Sequence, residues 1–244
     1  METESITRQV IQQLLSAIES RDLRAVRRAL HPDATWQNVP HAPYEGRDAI
    51  MLLLHPILCW SDRVQWDVLS SSVEGVTGWY ERQDRFWLAG AEYAVSCNGV
   101  LTIDPETQTV LLVRDYVDLG EWRDRVNPTL GDLASQSAEA VVARHLDAVR
   151  SGDPIRMSAD YSLDAVLARP NARFEGWYAI ADYYDAVSSG PDAPSLTFGR
   201  IESLNSDIVR VRWHRTQDSA DLVSGTDTFT VYEGRISHQH TELS

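Results

Sequence analysis

The sequence predicts an α+β protein built from two similar halves. Each half is a short set of helices followed by a curved, mostly antiparallel sheet. Three observations carry this expectation. Helical spacing of apolar residues comes early in each half and strand alternation comes late, so the two are segregated rather than interleaved. The halves repeat at a nearly constant offset. The chain has 244 residues, 43% of them hydrophobic, which is enough for two cores.

The first helix is expected where Val10, Leu14 and Ile18 recur at helical spacing. A second short helix follows over Asp22 to Leu30. "GRDAIMLLLHPI" reads as a third, ending at Pro56, because proline lacks the amide hydrogen a helix interior needs. Four alternating runs come next, near 64–72, 76–88, 92–103 and 109–119, with "DPETQ" as the turn between the last two. The second half repeats the runs near 195–204, 207–217, 223–232 and 235–242, with "YEGR" as its last turn. A curved sheet wrapped over helices forms a cone with a pocket inside.

The repeat is visible residue by residue. An Asp-Ala pair begins at Asp33 and at Asp164, an offset of 131. A Glu-Gly pair begins at Glu45 and at Glu175, an offset of 130. "EWRDRVNPTLGDLASQS" lies between the halves, carries Pro, Gly and Ser, and shows no clear period. The expected division is a domain over 1–126, a linker over 127–136 and a domain over 137–244.

With 36 acidic and 22 basic residues, the net charge is -14. Such a chain repels phosphate backbones and anionic lipid, so neither nucleic acid nor a membrane surface is an expected partner. The start, "METESITRQV", has no basic segment followed by an apolar core, and no apolar run reaches the ~18 residues of a membrane span. Two cysteines, Cys59 and Cys97, make neither a disulfide framework nor a zinc site. A cytoplasmic location is expected.

The chemistry is concentrated in "YERQDRFW". Alternation puts Tyr80, Arg82, Asp84, Phe86 and Leu88 on one strand face, which is apolar except for one Arg and one Asp. In "TVLLVRDYVDL", Asp115 shares a face with Leu111, Val113, Val117 and Leu119. Buried charges are costly unless paired, and a guanidinium can bridge two carboxylates. Two carboxylates and one arginine carry one net negative charge, so one shared proton neutralises them. One Asp is then an acid and the other a base on either side of one cation, a pair suited to opening a strained ring. The competing reading is an ion-pair network that only fixes the sheet.

These stretches resemble limonene-1,2-epoxide hydrolase and its relatives in the SnoaL-like, nuclear-transport-factor-like superfamily of cone-shaped α+β domains. "HPDATWQNVPHAPYEGRDAI", "ERQDRFW" and "VRDYVDL" carry the resemblance, which spans most of the first half. The resemblance implies that Asp84 protonates the epoxide oxygen, Arg82 lies between the carboxylates, Asp115 takes a proton from water and Asn38 helps hold that water. It implies no cofactor, no metal and no covalent intermediate. It also implies a tyrosine two residues before the asparagine, where this chain has Trp36. An indole donates a hydrogen bond but accepts none. Either Tyr44 or Tyr80 replaces the missing hydroxyl, or the nucleophile is not water. Some relatives close rings in polyketide and polyether pathways with a hydroxyl of the substrate itself. Trp36, Tyr80, Phe86 and Tyr44 are the expected pocket residues.

The second half is similar to SnoaL-like domains but lacks the acid–base set. Its strand equivalent to "YERQDRFW" is roughly "RVRWHRTQD", and near the ends "YVDLG" corresponds to "HTELS" at an offset of 124, which sets Gln239 against Asp115. Its polar candidates are Asp160, Tyr178, His214, His238 and His240. His238 and His240 share a face, but no third metal ligand has a diagnostic spacing. Tyr183 and Tyr184 are expected in a core or interface. Domains of this superfamily pair through their sheets, so the expectation is intrachain pairing or a homodimer, with Trp66, Trp79 and Trp87 facing outward. Three functions remain open from sequence: hydrolysis of an apolar epoxide to a vicinal diol, epoxide-opening cyclisation of a polyketide-like substrate, and non-catalytic ligand binding. An isomerase or aldol cyclase is a weaker fourth.

Overall fold

A computed structural model describes residues 2–188, 195–217 and 221–244. The last residue of "RVRWHRTQD", Asp218, lies outside the described residues. The chain divides into two compact units, Met1–Gly131 and Asp132–Ser244. Among the described residues no helix is long and apolar enough to cross a membrane.

The first unit runs α1 (Glu2–Glu19), α2 (Leu23–Ala29), β1 (Leu30–Asn38), β2 (Tyr44–Glu45), α3 (Arg47–Trp60), β3 (Ser61–Glu74), β4 (Thr77–Leu88), β5 (Ala91–Asp104) and β6 (Thr109–Val117). A short helix, α4 (Leu119–Glu121), passes through a π-helical turn (Trp122–Val126) into α5 (Asn127–Ala134). The six strands lie in the order β2-β1-β6-β5-β4-β3. Only β1 and β6 are parallel neighbours; the other pairs are antiparallel. α1 buries Val10, Ile11, Leu14, Leu15 and Ile18 on one stripe, as its period requires. Asp22 starts α2 by accepting a hydrogen bond from the Ala25 amide at 2.9 Å.

Three features depart from the sequence expectation. "LHPDATWQN" is a strand, β1, rather than the end of α2 and a loop. It takes the parallel place beside β6, and only that pairing brings Asn38 next to Asp115. α3 does not stop at Pro56 but continues to Trp60. Proline forgoes one helical hydrogen bond, and burial of Ile57 and Leu58 offsets this loss over the last turn. Third, 127–134 is helix rather than irregular linker, with Leu133 buried.

The second unit repeats the plan with α6 (Ala138–Ser151), α7 (Pro154–Ala159), β7 (Tyr161–Arg169), β8 (Ala172–Glu175), α8 (Trp177–Ser188), β9 (Ser195–Ser203), β10 (Ile208–Gln217), β11 (Asp221–Tyr232) and β12 (Arg235–Leu243). Its sheet order, β8-β7-β12-β11-β10-β9, copies the first. Gly152 ends α6 at φ 70, a left-handed conformation that glycine adopts without strain.

Strand pairing corrects one correspondence. Thr35 pairs with Glu45 and with Leu112, while Val166 pairs with Glu175 and with His238. The offset is therefore 131 on β1/β7 but 126 on β6/β12, and Asp115 corresponds to Thr241 rather than Gln239. The last hairpin of the second unit is shorter: Tyr232–Arg235 closes a two-residue turn where Asp104–Thr109 closes four.

Candidate active site

Alternation along β4 holds as the sequence predicts. Tyr80, Arg82, Asp84, Phe86 and Leu88 are buried, and the intervening side chains are exposed or half-buried. On β6 the face differs. A register shift opposite Thr102 and Ile103 turns Leu111 outward, 37% exposed, and puts Val110 inside with Val113 and Asp115. A bulge inserts one residue and so flips the side chains beyond it.

Arg82 lies at the centre of the site. Its Nε donates to Asp84 Oδ1 at 3.0 Å and its Nη2 to Asp84 Oδ2 at 3.1 Å. Nη2 also donates to Asp115 Oδ1 at 3.1 Å and to Cys97 Sγ at 3.1 Å. The guanidinium face covers the Trp66 ring, with Cζ 4.4 Å from the centroid, a cation–π contact in a dry site. All three charged groups are buried. Burial opposes the Arg82 charge, but Asp115 and Asp84 together outweigh it and raise its pKa, so it stays charged. Burial pushes the Asp84 carboxyl up to about 6 against the pull of Arg82, and Asp115 adds to the rise. Burial also pushes the Cys97 thiol far up, which keeps it neutral.

Two residues that sequence reasoning passed over make this geometry possible. Cys97 and Gly99 point inward from β5, which separates β4 from β6. Arg82 must reach across β5 to touch Asp115, and the missing side chain at Gly99 leaves the room. A Cβ there would lie 2.4 Å from Arg82 Nη1 and 2.7 Å from Asp115 Oδ1. The legible signal was "YAVSCNGVL", an inward face with two small residues in succession opposite a buried arginine. Gly99→Ala is expected to force the guanidinium off Asp115. Overpacking of this kind costs about 1–3 kcal/mol, read as a lowered denaturation midpoint.

The two carboxylates, with Arg82 behind them, form one wall of a cavity of about 660 Å³. Trp36, Asn38, Tyr44, Phe86, Asp84 and Asp115 all line it, so seven of the eight residues nominated from sequence, counting Arg82 behind the two carboxylates, meet at one place. Asn38 sits beside Asp115 in the parallel β1–β6 register, and Trp36 pairs with Tyr44 across β1–β2. Tyr80 is the exception. It shares the strand face but stands four residues from Asp84, about 13 Å along the strand. Its ring packs with Ile11 against Gly78 in the core. Of the three tryptophans expected to face outward, Trp66 lies inside and lines the cavity, because β3 carries it opposite Asp84. Trp79 is 39% exposed. Trp87 is half-buried under Arg63, 4.5 Å from its centroid. The far wall includes Trp122, edge-on to Phe86 at 6.0 Å, and Asn127 and Leu130 from the helix read as linker.

In the second unit, Arg144 Nε donates to Asp160 Oδ1 at 2.7 Å and its Nη2 makes an ion-pair contact with the same oxygen at 2.6 Å, and His238 and His240 are exposed. His214 and Tyr178 are half-buried outside the residues that line the unit's cavity. Tyr183 and Tyr184 do line it. No group of three or more His, Cys, Asp or Glu gathers to hold a metal among the described residues.

Fold and site together define the class: two cone-shaped α+β domains, the first with an arginine-bridged pair of carboxylates at the wall of an apolar pocket. Residues 5–124 match the family model of the limonene-1,2-epoxide hydrolase catalytic domain, and residues 142–239 match that of the SnoaL-like domain. The chain is a tandem of these two related domains. Among solved structures it is similar to a candidate SnoaL-like polyketide cyclase from Shewanella denitrificans, with 15% identity, 50% of this chain and 98% of that chain covered, and a TM-score of 0.46. It is also similar to an LEH-like epoxide hydrolase from M. tuberculosis, with 22% identity, 53% and 95% covered, and a TM-score of 0.44. No curated protein matches it.

Proposed function

We propose that the first domain adds water to the epoxide of an apolar molecule, giving a vicinal diol. The observation that carries this reading is one guanidinium hydrogen-bonded to both carboxylates at the wall of an apolar cavity. Asp115 takes a proton from water as the water oxygen bonds to an epoxide carbon. The carbon–oxygen bond of the ring breaks, and its oxygen takes the proton of Asp84. Arg82 keeps the paired charges from repelling one another while the proton moves. Asn38, beside Asp115, orients the water. A proton exchange with solvent then restores the starting state.

Because Asp84 must carry its proton, turnover is expected to fall as pH rises above about 6. A single essential acid gives a slope of about tenfold per pH unit. A flat kcat/KM between pH 6 and 8 would count against Asp84 as the acid.

A second reading rests on Trp36. It is buried in the cavity, where its indole offers water no acceptor. A hydroxyl of the substrate would then attack the epoxide and close a ring. Turnover of epoxides and epoxy-alcohols in oxygen-18 water separates the readings by mass spectrometry. A labelled diol supports hydrolysis. An unlabelled isomer of the substrate supports cyclisation. Absence of turnover across the panel favours a binding role.

A further inference from the structure

The second domain has a cavity of its own, about 640 Å³, close in size to the catalytic one. Strand register shows what has replaced the acid–base set. In the first sheet Asp115, Gly99 and Tyr80 lie side by side on β6, β5 and β4; in the second, Thr241, Asp227 and Val211 do. Two residues further along, Arg82 therefore corresponds to Trp213, and two more give Asp84 and Arg215. On the neighbouring strands, where β1 and β7 run in step, Asn38 corresponds to Arg169.

The charge of the wall is thus inverted. Where the first cavity shows Asp84 and Asn38, the second shows Arg215 and Arg169, and Asp227 alone among its described lining residues is a carboxylate. Asp227 stands where the first domain needs glycine. Its Oδ2 accepts from Gln239 Nε2 at 2.9 Å. Gln239 Oε1 in turn accepts from Tyr161, whose hydroxyl oxygen meets that of Tyr184 at 2.9 Å. This chain of bonds secures the carboxyl to the fold, and burial raises its pKa, so its negative charge is disfavoured. His145, buried behind the tyrosines, is held near 4 by burial and is neutral. The Arg169 guanidinium lies over Tyr183, 5.4 Å from the centroid, at an otherwise aromatic wall with Phe174 and Phe198.

We infer that the second domain binds an apolar organic acid, with its hydrocarbon body against the aromatic wall and its anionic oxygens at Arg169 and Arg215. This is a site of different charge and ligand from the first, and it does not rest on the epoxide reading. Guanidinium groups hold the oxygens of an anion by forked hydrogen bonds, and aromatic rings beside them pack against its apolar body.

The test uses the full chain and two fluorescent probes of one skeleton: 1-anilinonaphthalene-8-sulfonate, an anion, and neutral N-phenyl-1-naphthylamine. In the double variant Arg169→Gln, Arg215→Gln, the sulfonate is expected to bind at least about tenfold more weakly, the loss for removing charged hydrogen bonds. The neutral probe should change by less than about threefold. Arg169→Lys, which keeps the charge but not the fork or the stacking, should bind the sulfonate more tightly than Arg169→Gln and less tightly than the wild type. Should the double variant fail to fold, as judged by its circular dichroism, single Arg169→Gln against Arg169→Lys decides. Unchanged sulfonate affinity, equal losses for both probes in a folded variant, or Lys no better than Gln would overturn the inference.

Discussion

On the proposed mechanism, Asp84→Asn is expected to lower epoxide turnover by about 10²–10⁴-fold, the usual contribution of a positioned general acid. The amide is nearly isosteric but delivers no proton to the opening ring. Arg82 loses one ion-pair partner and keeps Asp115 and Cys97 within 3.1 Å. The variant should therefore fold and still take up an apolar epoxide. Diol or cyclised product, measured by mass spectrometry at pH 6, should drop while the KM, or a directly measured Kd, moves by less than about tenfold. Retained turnover would remove Asp84 from the mechanism. Lost turnover together with lost binding and a collapsed denaturation midpoint would return the triad to a purely structural role.

The second large effect is on stability. Arg82→Met is expected to destabilise the first domain by about 3–5 kcal/mol at pH 8, because it leaves two buried carboxylates without their cation. The sign of its pH dependence is specific. Without Arg82, the attraction that opposes burial at Asp84 is gone, so the folded-state pKa rises further above the unfolded value. A carboxyl raised in this way binds more protons folded than unfolded, so stability falls as pH rises through the folded value. Denaturant midpoints measured from pH 5 to pH 8 should thus decline more steeply in Arg82→Met than in the wild type. A parallel pair of curves would show that the arginine does not balance these carboxylates.

Much of this site was legible because period-two alternation in a strand is a local rule. It set Arg82, Asp84 and Phe86 on one buried face without any knowledge of neighbours. The same rule misled at Tyr80, since sharing a face says nothing about distance along it. At Leu111 it failed because a bulge changed the phase. The repeat was readable as an offset near 131 early in each half and 124 at its end, but strand register sets the last pair of strands at 126 and so moves the counterpart of Asp115 from Gln239 to Thr241.

By itself, then, the sequence determined the α+β plan, the duplication and the three charged residues Arg82, Asp84 and Asp115 as one buried set. Each depends on spacing within one segment of chain. Only the tertiary structure decided that β1 lies parallel to β6, that Gly99 opens a path for Arg82 across β5, that Trp66 covers the guanidinium, and that Arg169 and Arg215 share one cavity with Asp227. Those are contacts between strands or across a cavity. They are set by register and by side-chain volume, which no window of neighbouring residues contains.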